Sequence, residues 1–423
     1  MMPTRLICAG VHSQNEPTSM YILDLNIFIL SCIFTLISIH QHPIDMRNLL
    51  ATTIFTCGLF LLVLSEAHSQ GCVAIRHFSS CSNNNFDSQF LSKGDWQLGM
   101  NYRYFKSFRH FRGAEEEPDR VANGTEVVNH SHSWDFNITL GLNQRWFANL
   151  TLPFVINTRS SLYEHGRSER HTTTSRGLAD IRAGLGYWLF KPHVHSGGNL
   201  ALGLGVKLPT GDFAASDIFY NVGPNGEPQV RPVDQSIQPG DGGFGIALDA
   251  QFFQKLSEGF FIYGSGFYLL NPKGTNGTRT FRETLSPILN NEAIMAVPDQ
   301  YGLRAGLSYS LGTTPVGVIL GVRYEAVPVK DILGSNEGFR RPGSVLSVEP
   351  GINYMKENLS LNLSAPIAII RKRPQSVTDL ETEEATGQPR NGDAAFADYL
   401  INIGLSYRIN KGPAMNLNEF QKN

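Results

Sequence analysis

The stretch LALGLGVKL, residues 200–208, has leucine or valine at every second position and alanine, glycine or lysine between them. In an extended strand, successive side chains point to opposite faces of the sheet. One face of this segment is therefore wholly apolar, and the other is small or polar. A helix would instead place its apolar residues three and four positions apart. The stretch thus predicts a β-strand with one face against an apolar environment.

The same alternation recurs along most of the chain. It is clearest in residues 181–189, 301–309, 316–324 and 399–407. Single-chain bacterial outer-membrane barrels have an even number of strands. We count twelve segments of this kind, at 95–107, 132–143, 145–157, 177–190, 199–209, 243–255, 259–270, 300–311, 315–327, 343–354, 358–370 and 396–409.

The connections between these segments alternate strictly between short and long. The long ones are rich in Gly, Pro, Asn and charged residues and cover 108–131, 158–176, 210–242, 271–299, 328–342 and 371–395. A transmembrane barrel has tight periplasmic turns at one rim and longer external loops at the other. A soluble β-sandwich offers no reason for this alternation. The pattern predicts an all-β fold, a transmembrane antiparallel β-barrel of about twelve strands with short periplasmic turns.

Composition excludes two other classes of protein. The 35 Lys and Arg residues are balanced by 37 Asp and Glu residues, so the net charge of −2 gives no basic field for nucleic acid. Beyond about residue 70, no run of apolar residues is long enough for a membrane-spanning helix. We therefore expect no nucleic-acid partner and no polytopic helical membrane domain.

The amino terminus contains a predicted signal peptide. Residues 46–69 contain a basic residue, an apolar stretch and the small-x-small sequence Ala67-His68-Ser69. Residues 1–45 are interpreted as an upstream extension or a mis-assigned start, with an uncleaved anchor as the alternative. Residues 70–94 are expected to form a periplasmic segment in which Cys72 and Cys81 are candidates for a disulfide. The barrel would then occupy 95–409 and a periplasmic tail 410–423.

If the apolar face contacts lipid, the opposite face lines the interior. Six basic and six acidic residues fall on that face, so opposite charges on neighbouring strands can pair. We expect either a polar, weakly selective path or a closed barrel filled by these pairs. The predicted lumen-lining residues are Arg103, Asp135, Asp180, Arg182, Lys207, Asp249, Arg304, Arg323, Glu325, Glu349, Asp398 and Arg408.

The sequence favours a protein that is not an enzyme. A lipid-facing hydrolase needs histidine close to serine on adjacent strands, and the predicted strand phases place no histidine on an outward face. His130 and His132 are expected in or at the edge of an external loop, and no Gly-x-Ser-x-Gly motif occurs. His193 and His195 supply only two ligands in a turn. We expect no metal site and no cofactor.

Three stretches carry a family resemblance: GLADI at 177–181, GLGVKLPTGD at 203–212 and QPGDGG at 238–243. They resemble the outer-membrane β-barrel transporter family associated with the phenol meta-cleavage pathway, over most of residues 95–409. The resemblance implies a Gram-negative outer-membrane location and passage of small organic solutes. The implied partners are outer-membrane lipid, a small-molecule solute and the barrel-assembly machinery, which would recognise the strand ending near Tyr407. The second and third stretches bracket the loop 210–242, which could fold inward as a constriction.

These observations predict a channel for passive or facilitated passage of small solutes, with aromatic or hydrophobic molecules as candidates. The alternative is a plugged barrel with a structural or adhesive role through its six long loops. A barrel hydrolase is a third hypothesis. The residues do not identify the solute.

Overall fold

The computed structural model describes residues 90–409, apart from His193, Ser196 and Ser286. The predicted signal peptide, Cys72 with Cys81, and the tail 410–423 lie outside the described residues. Most of the described chain is β-structure, and twelve strands close into an antiparallel barrel. The predicted fold class is confirmed.

The barrel strands follow one another around the ring in chain order. Strand β4 is interrupted between Leu178 and Arg182, and β11 between Ser364 and Ile367. Pairing of β1 with β12, from Trp96 opposite Ile409 to Phe111 opposite Ala394, closes the ring. The strands are β1 Trp96–Arg112, β2 Val128–Gly141, β3 Trp146–Ser161, β4 His171–Leu178 with Arg182–Trp188, β5 Gly198–Lys207, β6 Gly245–Ser257, β7 Phe260–Leu270, β8 Gln300–Ser310, β9 Val316–Val327, β10 Gly343–Lys356, β11 Leu359–Ser364 with Ile367–Lys372, and β12 Ala394–Ile409.

Side-chain exposure follows the alternation in the sequence. On β5, Leu204 is 60% exposed, whereas Ala201 is 2% exposed. Leu320 on β9 and Ile403 on β12 are likewise exposed, and Ile319 beside Leu320 is buried. The outside of the barrel is therefore apolar, and the opposite face of each strand points into the interior. This inverts the arrangement of a water-soluble protein and is the surface that a transmembrane barrel presents to lipid.

The long connections contain ordered structure of their own. Short hairpins form from Ser216–Phe219 with Gln229–Pro232 and from Thr275–Arg279 with Ile294–Ala296. The remaining elements are the short strand Glu115–Glu116, the helices α1 Asp119–Ala122 and α2 Val377–Thr386, and 3₁₀ turns at Tyr163–His165, Gln235–Ile237 and Pro287–Glu292. None of the helices found between residues 90 and 409 is long and apolar enough to cross a membrane.

Strands β1 to β4 extend further into the long-loop side than the alternation predicts. Strand β2 begins at Val128 rather than at 132, which places His130 and His132 on its outward face beside Trp134. The prediction that no outward face carries a histidine was therefore wrong. The physical reason is that residues 129–133, Asn-His-Ser-His-Ser, are all polar, so this part of the strand has no alternation of apolar and polar residues from which to detect it.

Candidate functional site

The three stretches that carry the family resemblance meet at one point of the barrel wall. The Asp180 carboxylate accepts the backbone N–H of Gly211 at 3.0 Å and that of Asp241 at 3.1 Å. The Lys207 ammonium also pairs with the Asp241 carboxylate. A Cβ atom on Gly211 would lie 2.7 Å from the Cα of Gly240, so the two chain segments approach as closely as glycine allows. We call these five residues the loop latch, because they hold both ends of loop 210–242 to the barrel.

Between its latched ends, this loop packs against inward-facing residues of β3 and β4. The carbonyl of Ile237 accepts hydrogen bonds from the Asn157 amide, at 3.1 Å, and from the Ser175 hydroxyl. Ile237 is 1% exposed and lies in the 3₁₀ turn Gln235–Ile237. The loop therefore folds inward and enters the space enclosed by the strands.

The same turn is also bound from the far side of the ring. Arg341, just before β10, donates to both carboxylate oxygens of Asp234 at 2.7 Å. Arg159 of β3 lies 3.5 Å from that carboxylate. Burial raises the pKa of Asp234, but the two guanidinium groups outweigh burial and hold this pKa well below its usual range. Loop 210–242 is thus a constriction fixed to two separate parts of the barrel.

Seven of the twelve predicted lumen residues form a cluster of buried charges in the interior of the barrel. Arg304 contacts Glu349 at 2.7 Å, and Arg323 lies 2.9 Å from Glu325 and 3.8 Å from Glu349. Arg103 reaches Glu325 at 3.8 Å, and Arg182 reaches Asp135 at 3.2 Å. We call this cluster the central charged network; its members are Arg103, Asp135, Arg182, Arg304, Arg323, Glu325 and Glu349.

The structure places the other five predicted lumen residues elsewhere. Asp180 and Lys207 belong to the loop latch. Arg408 pairs with Asp95 at 2.8 Å, at the short-turn end of the barrel. Asp398 is about a third exposed and accepts from two arginines at 2.7 Å, near the long-loop end of β12. Asp249 lines a groove that Arg182 of the central charged network also borders.

Aromatic side chains fill the interior near the short turns. Trp188, Phe253 and Tyr263 are buried on the inward faces of β4, β6 and β7, beside Ile319 of β9. Phe90, which precedes β1, packs among them, with its ring 4.9 Å from Trp188 and 5.7 Å from Phe253. We call these five residues the aromatic plug. The alternation did not identify the plug, because its members come from four strands and from the segment before β1, and β7 carries aromatic residues on both faces.

A groove lies along the inward faces of β4 to β7. A Cβ atom on Gly186 would lie 2.1 Å from the Phe147 ring, and one on Gly184 would lie 2.7 Å from Asn149 Oδ1, so glycine at these positions lets the two side chains lie directly against β4. Among the described residues, the buried Oε1 of Gln251 has no hydrogen-bond partner. The groove lining includes Phe147, Asn149, Thr151, Arg182, Gly184, Gly186, Gly203, Gly205, Asp249, Gln251, Ser265 and Phe267. Such a surface offers aromatic faces and polar atoms to a small molecule.

The outward histidines of β2 interact with tyrosines. His130 Nδ1 lies 3.0 Å from the Tyr104 hydroxyl, and His132 Nδ1 lies 2.8 Å from the Tyr102 hydroxyl. A serine hydrolase instead needs its imidazole bonded to the serine that attacks the substrate. These two imidazoles therefore do not form the pairing that serine hydrolysis requires.

Comparison with known proteins gives a likeness of architecture only. No family model matches the sequence, and no curated protein matches it. Among solved structures, an outer membrane channel from Pseudomonas putida F1 aligns with 75% of this chain and 97% of its own at 10% identity and a TM-score of 0.49. The Ralstonia pickettii toluene transporter TbuX aligns with 76% of this chain and 90% of its own, at 7% identity and a TM-score of 0.35. The translocator domain of the Neisseria meningitidis autotransporter NalP aligns with 86% of this chain and 99% of its own, at 10% identity and a TM-score of 0.38.

Proposed function

We propose that this protein is a channel of the bacterial outer membrane that gives small solutes passive or facilitated passage. The observation that carries the proposal is a glycine-lined groove inside a closed barrel whose outer surface is apolar. The exposed apolar side chains of the outer surface form an apolar belt, which includes Leu204, Leu320 and Ile403. Each of these side chains would be exposed to water if the barrel were soluble. In lipid, the same side chains are favourable.

The proposed orientation has the short turns in the periplasm and the long loops outside the cell. Both described ends of the chain then lie on the periplasmic side, because β1 begins and β12 ends at the short-turn rim. The barrel-assembly machinery would recognise β12, where Tyr407 is exposed on the outward face opposite Leu98.

The proposed route passes the constriction loop and follows β4 to β7, beside the central charged network. A solute passing through the network would have to separate its ion pairs, and leaving buried charges without partners costs free energy. The groove instead combines the rings of Phe147 and Phe267 with the polar side chains of Asn149 and Gln251. We propose small, partly apolar solutes, aromatic molecules among them, as the resemblance to the phenol meta-cleavage barrels implies. No covalent chemistry is proposed, since the barrel would only conduct.

Solute flux through proteoliposomes tests this function. Gly203→Leu would fill the groove, because a Cβ atom there already lies 3.1 Å from Asp249 Cβ. Gly99→Leu is the matched control, since a Cβ at Gly99 of β1 meets only ordinary contacts of 3.5 Å or more. Swelling rates in a small neutral aromatic solute should fall in Gly203→Leu and stay at the parental value in Gly99→Leu. Equal rates in both variants, with both barrels folded, would refute the groove as the route.

A plugged barrel with a structural or adhesive role is the second candidate. The aromatic plug and the inward loop favour it, since both occupy the interior. Its test is removal of the helix Val377–Thr386 from its loop, followed by measurement of cell-surface binding and of solute flux. Loss of surface binding with unchanged flux would support this second role.

A further inference from the structure

The outward faces of β1 and β2 carry a group of hydrogen-bond donors at their long-loop ends. Lys106 is exposed and stands opposite His130, and Tyr104 stands opposite His132. Ser107 and Asn129, the next residues, are buried and bonded to each other at 2.9 Å on the inward face. Lys106, His130 and His132 therefore share the lipid-facing side of the sheet, and we call them the donor patch.

The depth of the patch follows from the length of the strands. A strand of about 9 to 11 residues crosses the hydrocarbon core of a membrane. Trp96 marks the short-turn end of β1, and Lys106 is the eleventh residue of that strand. Immediately below the patch, Tyr102 packs against Trp134 with ring centroids 5.3 Å apart, as in an interfacial aromatic girdle. The donor patch consequently lies at the level of the lipid headgroups.

The tyrosines orient the two imidazoles. When the hydroxyls of Tyr104 and Tyr102 donate to Nδ1 of His130 and His132, the proton of each neutral ring is on Nε2, which is then a donor. Lys106 Nζ lies 4.7 Å from the centroid of the Phe108 ring. None of the described carboxylates forms an ion pair with Lys106. The patch thus offers an ammonium and two N–H groups and presents no negative charge of its own.

We propose that the donor patch binds the phosphate of a lipid headgroup in the outer leaflet of the membrane. Phosphate oxygens accept charge-assisted hydrogen bonds from ammonium and imidazole groups, and basic pockets at membrane level recognise anionic headgroups. The apolar belt directly below the patch would contact the acyl chains of the same lipid. This site is separate from the interior and adds a lipid-binding function to that of passage.

Equilibrium binding of fluorescent lipid A to the full chain in detergent tests the proposal. The parent should bind lipid A that carries its phosphates about ten-fold or more tighter than dephosphorylated lipid A. The triple variant Lys106→Gln, His130→Gln, His132→Gln should lose that preference. Lys356→Gln, an exposed lysine at the short-turn end of β10, is the matched control and should keep it. Heat modifiability checks folding, and Lys106→Gln alone serves if the triple variant does not fold.

Three results would overturn the proposal: equal affinity of the parent for the two lipids, an unchanged preference in the folded triple variant, or complete displacement of lipid A by inorganic phosphate. The last result would mean that the site binds free phosphate rather than a lipid. Flux through liposomes without lipid A should be the same in the triple variant and the parent. That measurement separates a failure of this proposal from a failure of the proposed channel.

Discussion

Arg341 and Asp234 form a two-bond ion pair inside the barrel, with both distances 2.7 Å, although 107 positions separate them in the chain. Asp234 is 1% exposed, so its charge depends on this partner and on Arg159. The pair determines where the middle of loop 210–242 lies, whereas the loop latch determines where the loop begins and ends. The constriction is therefore held at points on β3, β4 and β5 and at Arg341, just before β10.

Arg341→Ala should release this constriction. It leaves Asp234 buried with one guanidinium partner, and breaking a buried pair costs about 3 to 5 kcal/mol. We expect a lower urea midpoint and higher solute flux. Lys255→Ala removes an exposed pair with Glu258 at a short turn and should change neither quantity measurably. An Arg341→Ala barrel with parental flux and stability would refute the structural role of this pair.

The stability of the long-loop side should fall in mild acid because of His165. This imidazole is fully buried and accepts the N–H of Tyr220 at 3.1 Å, and burial together with His171 lowers the pKa of His165 to about 4. The unfolded chain therefore takes up the proton first, near pH 6.5, and stability declines as pH falls from about 6.5 towards 4. The loss should reach about 2 kcal/mol at pH 5.

The check is urea unfolding of the parent and of His165→Gln at pH 7 and pH 5. The glutamine does not titrate, so the variant should lose less stability than the parent between the two pH values. If both lose the same amount, His165 does not contribute to the acid sensitivity.

Glu349→Gln should destabilise the central charged network. Glu349 is 1% exposed and accepts from Arg304 and from the Ser364 hydroxyl, both at 2.7 Å. Removing its charge leaves Arg304 and Arg323 close together in the interior, at a cost of about 3 to 5 kcal/mol. The double variant Glu349→Met, Arg304→Met should recover part of that loss in urea unfolding. A double variant less stable than either single variant would contradict this explanation.

Leu204→Arg tests which face of β5 meets lipid. A charge on the lipid face near the midplane costs about 2 to 4 kcal/mol, and Leu204 is among the most exposed apolar residues of the barrel. Assembly into liposomes, followed by heat modifiability, should be impaired for Leu204→Arg and normal for Leu204→Ile. Normal assembly of the arginine variant would mean that this position does not contact lipid.

Much of the barrel could be predicted from the sequence, because one apolar face per strand leaves a local signal in residues such as Leu200 to Leu208. The long-loop ends of the strands could not be predicted in this way, because the residues around His130 are polar on both faces of β2. Contacts inside the barrel depend on how distant strands face one another. The meeting of Asp180 with Gly211 and Asp241, and of Phe90 with Trp188, requires the closed ring, which no local pattern encodes.

Single-channel conductance of the full chain in a planar bilayer tests the proposed channel most directly. We predict discrete, salt-dependent steps for the parent, smaller steps for Gly203→Leu in the groove and parental steps for Gly99→Leu on β1. A folded, heat-modifiable parent that conducts no ions would contradict a continuous path and would assign the function to the external loops.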